Sequence, residues 1–164
     1  MNTTTDRIEK RVLLRAPRDR VWRAISDAKE FGSWFGAEID GQFVAGAHLT
    51  ARIVPTTVDA DVARTQEAYR GMAFECWIER IEPMRLFSFR WHPSPIEPNV
   101  DLSNEPTTLV EFALEEVAGG TQLTITESGF AQLPIERRAK AFAGNAEGWE
   151  AQARLIAKYL AAAS

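Results

Sequence analysis

The chain has 164 residues, of which 45% are hydrophobic and 26% are charged, and its formal net charge at pH 7 is −4. This composition is typical of a globular protein and argues against nucleic-acid binding, which usually requires a basic surface. The length predicts one domain over residues 1–164, with residues 1–6 as a disordered tail.

The first half of the chain is predicted to begin with a strand followed by two short helices. In residues 7–15, Ile8, Val12 and Leu14 share one parity, which is typical of a strand with one buried face. Pro17 suits the first position of a helix because its φ is fixed. A second short helix is predicted from Ser26 and Asp27, ending near Gly36.

The middle of the chain is rich in strand patterns. Hydrophobic and polar residues alternate in residues 73–81 and 86–91, and further strands are predicted for residues 42–44 and 49–54. Residues 55–70 and 93–106 do not fit this meander, and the second stretch is predicted to be a long loop. Such insertions are either functional or simply tolerated.

The last third of the chain predicts a hairpin and one long helix. Residues 110–115 alternate, and Gly119 and Gly120 form a turn into a strand over residues 121–128. After Pro134 the sequence predicts an amphipathic helix to about residue 160. Its hydrophobic stripe consists of Ile135, Ala139, Phe142, Ala146, Trp149, Ala153, Ile156 and Leu160.

Two glycines, Gly144 and Gly148, interrupt this helix. Each glycine costs up to about 1 kcal/mol relative to alanine inside a helix. Close approach to the sheet, or room for a ligand, would explain them. The element order as a whole predicts an α+β fold in which a twisted antiparallel sheet of about six or seven strands carries one long helix.

Several local motifs resemble one known superfamily over nearly the whole chain. They are Ala16-Pro17, Val21–Ile25, the pair Phe31 and Trp34, Phe89-Arg90-Trp91, 105–110, Glu127-Ser128-Gly129-Phe130 and 145–149. The sequence is similar to the START and birch-pollen-allergen (SRPBCC) superfamily, in the branch homologous to the activator of heat-shock protein 90 ATPase.

The resemblance implies a helix-grip fold, in which a curved antiparallel sheet wraps around a long C-terminal helix, with two short helices after the first strand. Members of the superfamily enclose an apolar cavity that binds lipids, sterols, polyketides or hormones, and a few are cyclases or hydrolases. The eukaryotic activator binds its chaperone with such a domain and a separate N-terminal domain. The 164 residues are expected to accommodate only the one domain.

Glu127 is the most informative polar residue. It shares the parity of Leu123 and Ile125, so it is predicted to face the interior. A carboxylate in an apolar pocket is a candidate general acid or base. The alternative is that pairing of the strand ends near Thr126, which would leave Glu127 as a solvated rim residue or as the cap of a backbone amide.

The other candidate residues are mainly aromatic or aliphatic, and each could equally be ordinary core. Asn145 could reach a ligand or hydrogen-bond the sheet, and Trp149 could be a cavity wall or a core residue. The predicted lining of the ligand cavity is Trp22, Phe31, Trp34, Phe74, Cys76, Phe89, Trp91, Leu123, Ile125, Glu127, Phe142, Asn145 and Trp149.

Other kinds of site find no support in the sequence. Two histidines and one cysteine offer no metal-ligand spacing. There is no glycine-rich phosphate loop and no nucleophile elbow around Ser128, so neither a metal nor a cofactor is expected. The chain shows no signal peptide and no apolar run long enough to span a membrane, and a cytoplasmic location is expected.

Three functions remain open. The favoured one is binding of a small hydrophobic or aromatic molecule between the sheet and the C-terminal helix. The first alternative is a protein-interaction module with a chaperone partner, as the resemblance suggests. The second alternative is a cavity enzyme, a cyclase or hydrolase, that uses Glu127 as acid or base.

Overall fold

The structure, a computed structural model, describes residues 6–93 and 104–163. Within these residues the order is one strand, two helices, two strands, a third helix, four strands and a long helix. The strands are β1 Arg7–Leu14, β2 Ala37–Asp40, β3 His48–Ile53, β4 Ala73–Glu82, β5 Leu86–Trp91, β6 Thr108–Val117 and β7 Gly120–Ser128. The helices are α1 Arg18–Ser26, α2 Ala28–Phe35, α3 Ala60–Glu67 and α4 Ile135–Ala163.

The seven strands form one antiparallel sheet in the order β1-β7-β6-β5-β4-β3-β2. Strand β7 therefore lies between β1 and β6, and in the register Glu127 is opposite Ile8 on one side and Val110 on the other. The predicted α+β fold, a helix-grip arrangement with a long C-terminal helix and two short helices after the first strand, is confirmed.

The two short helices are bounded by the residues that the sequence suggested. The side chain of Asp27 accepts hydrogen bonds from the backbone N–H groups of Lys29 and Glu30 at 2.9 and 3.3 Å, so it caps α2. Gly36 ends α2 with a φ of 99°, a conformation that favours glycine. Pro17 lies one residue earlier than predicted, in the capping position of α1.

One prediction about the middle of the chain is wrong, and one helix was not predicted. Residues 42–44 are not a strand: Phe43 packs its ring on Phe87 at a centroid distance of 4.7 Å, and Val44 is 58% exposed. The edge strand is β2 instead, immediately after Gly36. Residues 55–70 contain α3, which the sequence analysis missed although Asp59 caps it by accepting from the N–H groups of Asp61 and Val62.

The predictions for the N-terminal tail and for the second insertion fall partly outside the described residues. Residues 1–5 of the predicted tail and residues 94–103 of the predicted loop belong to this group. Asp6 is described, and it accepts hydrogen bonds from the backbone N–H groups of Gly129 and Ala131 at 3.2 and 2.9 Å. None of the described helices is both long and apolar enough to cross a membrane.

The predicted stripe of α4 is wrong in its first two turns. Ile135 is 76% exposed and Ala139 is also exposed. Phe130 and Leu133, from the connector before the helix, fill the core at this end, which leaves no buried position for Ile135. From Ala141 onward one face of α4 is buried, and its buried residues are Ala141, Asn145, Trp149, Leu155, Ile156 and Leu160.

Candidate functional site

Glu127 lies inside the protein, at the end of a central strand. Its exposed fraction is 0%, as are those of Leu123 and Ile125 on the same face of β7. The alternating pattern of the strand therefore continues to Glu127, and the alternative of a solvated rim residue is wrong.

Among the described residues, four side chains donate hydrogen bonds to the Glu127 carboxylate, two to each oxygen. Trp91 Nε1 and Thr108 Oγ1 donate to Oε2 at 2.8 and 2.5 Å. Asn145 Nδ2 and Trp149 Nε1 donate to Oε1 at 2.8 and 2.7 Å. These five residues are called the Glu127 cluster, and they join strands β5, β6 and β7 to helix α4.

The number of donors equals the accepting capacity of a carboxylate. An ionised carboxylate only accepts hydrogen bonds, with about four lone-pair positions, and four donors converge on it here. Burying such a charge is costly unless it is hydrogen-bonded, and the four donors observed here are all uncharged side chains. Neutral N–H and O–H donors therefore carry the stabilisation of this group, and they lock the helix to the sheet.

Four members of this cluster were among the candidate residues predicted from the sequence, but the hydrogen bonds between them were not predicted. Asn145 and Trp149 are four residues apart on α4, so they lie on one face of the helix. Thr108 was missed, although it has the same parity as the buried residues Val110 and Phe112 on β6. A threonine at a buried strand position was the signal that could have identified it, because a buried hydroxyl needs a partner.

A small cavity lies beside the cluster, between the sheet and α4. Its volume is about 160 Å³, and we call it the amide cavity because three carboxamides line it. A second space of about 80 Å³ shares four of its lining residues and also borders Gly148 and Trp149. The lining residues of the amide cavity are Phe35, Gly36, Ile53, Gln66, Phe74, Trp91, His92, Asn145 and Gln152.

Two residues belong to both the Glu127 cluster and the cavity wall. Trp91 and Asn145 each line the amide cavity and each donate to Glu127. The buried carboxylate therefore fixes the orientation of an indole ring and a carboxamide that face the cavity. This makes Glu127 a positioning residue for the wall, and it is not itself among the lining residues of the amide cavity.

The carbonyl oxygen of Phe35, at the end of α2, joins three helices at the other side of the cavity. It accepts from Gln66 Nε2 of α3 and from Gln152 Nε2 of α4, both at 3.0 Å. Gln66 Oε1 in turn accepts from the backbone N–H of Thr56 at 2.8 Å. The wall is thus built from hydrogen-bonded amides and aromatic rings held in place from several sides.

Most of the predicted lining residues form a packed aromatic core instead of a large cavity. Trp34 is 0% exposed and donates to the carbonyl oxygen of Ala24 at 2.9 Å. A remaining gap bordered by Phe31, Phe74, Cys76, Phe89 and Trp91 measures only about 10 Å³. The predicted residues that border neither the amide cavity nor the second space are Trp22, Phe31, Trp34, Cys76, Phe89, Leu123, Ile125, Glu127 and Phe142.

The glycines of α4 do not mark a close approach to the sheet. A Cβ atom on Gly148 would meet no atom of the described residues within 4 Å, and Gly144 is exposed. Gly148 borders the second space, so the explanation that agrees with the structure at this position is room beside the helix.

Cys76 is buried in β4, and burial raises the pKa of its thiol to about 11. Because the thiolate is the reactive form, we expect Cys76 to react with an alkylating reagent at pH 8 at least tenfold more slowly in the native protein than in denaturant. Mass spectrometry of alkylated protein over time measures both rates. Equal rates in the two states would contradict the buried position.

A larger groove lies on another part of the surface. It has a volume of about 880 Å³, and it is lined by polar as well as apolar side chains. Arg23, Asp27, Lys29 and Gln42 are among them, and none of its lining residues belongs to the Glu127 cluster. In the described residues no group of three or more His, Cys, Asp or Glu side chains could hold a metal ion.

Comparison with known proteins identifies a family and a shared fold. Residues 15–161 match the family described as "Activator of Hsp90 ATPase homolog 1-like protein". No match to a curated protein is found. The match confirms the predicted branch of the START and birch-pollen-allergen superfamily.

Solved structures share the fold at low sequence identity. Protein MLL2253 from Mesorhizobium loti is 20% identical, with a TM-score of 0.70 over 96% of this chain and 98% of that chain. A protein from Arthrobacter aurescens is 16% identical, with a TM-score of 0.72 over 98% and 89%. The Aha1 dimer from Colwellia psychrerythraea is 16% identical, with a TM-score of 0.66 over 94% and 95%. At these identities the likeness shows the fold alone.

Proposed function

The chain belongs to the activator of Hsp90 ATPase homolog 1-like family, and from this premise we propose that it binds a small aromatic or hydrophobic molecule in the amide cavity. The observation that carries the proposal is a concave space with aromatic walls and a few fixed polar groups, between the sheet and α4. This combination is typical of small-molecule sites.

The volume of the cavity limits the ligand to a small one. Sites for drug-sized ligands measure about 300–1,000 Å³, whereas the amide cavity and its neighbour measure about 160 and 80 Å³. A cavity of roughly 150 Å³ holds a molecule the size of benzene. A single ring with a short substituent therefore fits this space, and a sterol or a long acyl chain does not.

The rigid wall supports binding rather than acid–base chemistry. Both oxygens of Glu127 already accept two hydrogen bonds each, so proton transfer to a substrate would require a donor such as Trp91 or Asn145 to move away. Fixed walls also lower the entropic cost of ordering side chains around a ligand. The enzyme hypothesis therefore ranks below the binding hypothesis.

Blocking the space beside α4 tests the proposal. Gly148→Leu should preserve or raise stability, since leucine is a better helix former than glycine. It should weaken binding of toluene at least tenfold, because a leucine side chain in the second space would meet a ligand held by the four lining residues that this space shares with the amide cavity. NMR titration of the 15N-labelled protein with toluene measures the Kd.

The matched control is Gly144→Leu, which makes the same change one turn earlier at an exposed position that borders neither space. It should leave the Kd for toluene unchanged. Equal binding of toluene by both variants, or no binding of small aromatic molecules by the natural sequence, would contradict the proposed function.

A second candidate function is a protein-interaction module, and the groove of about 880 Å³ favours it. The charged side chains Arg23, Asp27 and Lys29 give this surface groups that can orient a polar partner. Adding the protein to a bacterial homologue of heat-shock protein 90 and measuring the ATPase rate tests this candidate. A rate that changes with the natural sequence but not with Lys29→Glu would support it, and an unchanged rate would count against it.

A further inference from the structure

One side-chain oxygen in the wall of the amide cavity, that of Gln152, has no hydrogen-bond partner in the part of the chain that the structure describes. Gln152 Nε2 donates to the carbonyl oxygen of Phe35 at 3.0 Å. Because a carbonyl oxygen only accepts, this contact fixes which end of the carboxamide is nitrogen. Gln152 Oε1 is then left buried, and it has no hydrogen-bond partner in residues 6–93 and 104–163.

The other two carboxamides in the wall are already engaged. Gln66 Oε1 accepts from the N–H of Thr56, and Gln66 Nε2 donates to Phe35. Asn145 donates to Glu127. Gln152 Oε1 is the oxygen of these three carboxamides that has no partner among the described residues, and Gln152 borders both the amide cavity and the second space.

A buried acceptor without a partner is unfavourable, and native proteins rarely leave one unsatisfied. A ligand that donates a hydrogen bond would remove this cost, whereas a purely apolar ligand would not. An anionic ligand is disfavoured for the same reason, since it would bring a second acceptor to Oε1 and to a region that already holds the Glu127 carboxylate. The polar group of the ligand should thus be a neutral O–H or N–H.

The apolar part of the wall indicates a flat ring. Trp91 lies between Phe35 and Phe74, with ring centroids 6.1 and 6.0 Å away and interplanar angles of 55° and 74°. Aromatic molecules prefer edge-to-face or offset contacts with rings of this kind.

We propose that the ligand of the amide cavity is a small aromatic molecule with a hydrogen-bond donor on the ring, such as a phenol, and that Gln152 Oε1 accepts its hydrogen bond. This inference rests on the proposed function and narrows its ligand class. It assigns Gln152 as the residue that separates donor-bearing rings from purely apolar rings of the same size.

The test compares phenol with toluene, which have nearly the same shape and differ by a hydroxyl or a methyl group. NMR titrations give the Kd of each for the natural sequence and for Gln152→Met, which keeps the length of the side chain but removes the acceptor. The ratio of the toluene Kd to the phenol Kd should be roughly five- to tenfold larger for the natural sequence than for Gln152→Met. A change of this size is expected when one hydrogen bond to the ligand is lost. Gln132→Met, the same change at an exposed position, should leave the ratio as in the natural sequence.

The outcomes separate this inference from the proposed function. If neither probe binds, the proposed function fails. If both bind with the same ratio in the natural sequence and in Gln152→Met, the cavity binds aromatic molecules but Gln152 does not select them, and the inference is overturned. Should Gln152→Met fail to fold, the carboxamide resonances of Gln152 in the natural sequence decide: phenol should shift them more than toluene, and unmoved resonances would overturn the inference.

Discussion

Glu127→Gln is expected to lower the free energy of unfolding by about 3–5 kcal/mol, which corresponds to a fall in Tm of roughly 10 °C. The glutamine amide places an –NH2 group where a carboxylate oxygen now accepts two hydrogen bonds. In either orientation this group faces at least one N–H that cannot accept, from Trp91 on one side or from Asn145 and Trp149 on the other. A buried donor then meets a buried donor.

Urea denaturation followed by circular dichroism measures this loss. Glu115→Gln is the matched control, because it makes the same change on neighbouring strand β6 at an exposed position, and it should change stability by no more than about 0.5 kcal/mol. If Glu127→Gln is as stable as this control, the four hydrogen bonds to the carboxylate do not hold α4 on the sheet.

Gly32→Ala should lower stability by about 3 kcal/mol, although alanine is the better helix former. A Cβ atom on Gly32 would lie 2.2 Å from the carbonyl oxygen of Ala37 and 3.3 Å from its carbonyl carbon. Both are backbone atoms of β2, so the turn from α2 into the edge strand would have to open. That movement would displace Phe35 and Gly36, which line the amide cavity.

Gly148→Ala should raise stability, whereas Gly32→Ala should lower it, and it therefore serves as the control for Gly32→Ala. Its Cβ atom would meet no atom within 4 Å in residues 6–93 and 104–163, so the helix-propensity gain of up to about 1 kcal/mol should appear as a Tm raised by roughly 2–4 °C. Thermal unfolding gives the Tm of both variants, and thus the effect of the same glycine-to-alanine substitution in α2 and in α4. Two changes of the same sign would show that backbone contact at Gly32 does not decide its effect.

The Glu127 cluster explains why helix α4 keeps one position and one rotation on the sheet. Hydrophobic packing alone is compatible with several helix positions, because apolar contacts have no direction. Hydrogen bonds from Asn145 and Trp149 to one buried oxygen are directional, and they set both the rotation and the position of α4. The same bonds set the wall of the cavity next to it.

The strand pattern allowed much of the fold and part of the site to be predicted from sequence. Side chains alternate strictly along a strand, so the parity of Leu123 and Ile125 was enough to turn Glu127 inward. Asp27 and Gly36 marked the ends of α2 because capping is a local property of the chain. These features depend on neighbours in sequence and need no knowledge of tertiary packing.

The cavity could not be predicted in the same way. Its volume depends on how the rings of residues such as Phe31, Trp34 and Phe89 pack, and they fill most of the interior that was expected to be open. The polar wall depends on α3, whose Gln66 meets Gln152 of α4 at the carbonyl oxygen of Phe35. These contacts join residues that are 31 and 117 positions apart in the chain. The local pattern of hydrophobic and polar residues cannot predict contacts at such separations.

The most direct test of ligand binding in the amide cavity is the position of a bound aromatic molecule in the natural sequence. Intermolecular nuclear Overhauser effects from phenol ring protons should reach the side chains of Phe74, Trp91 and Gln152, which line the amide cavity. Binding in the amide cavity should produce all three contacts at once. Contacts confined to the outer groove near Lys29 and Phe43, or no specific contacts at saturating phenol, would contradict it.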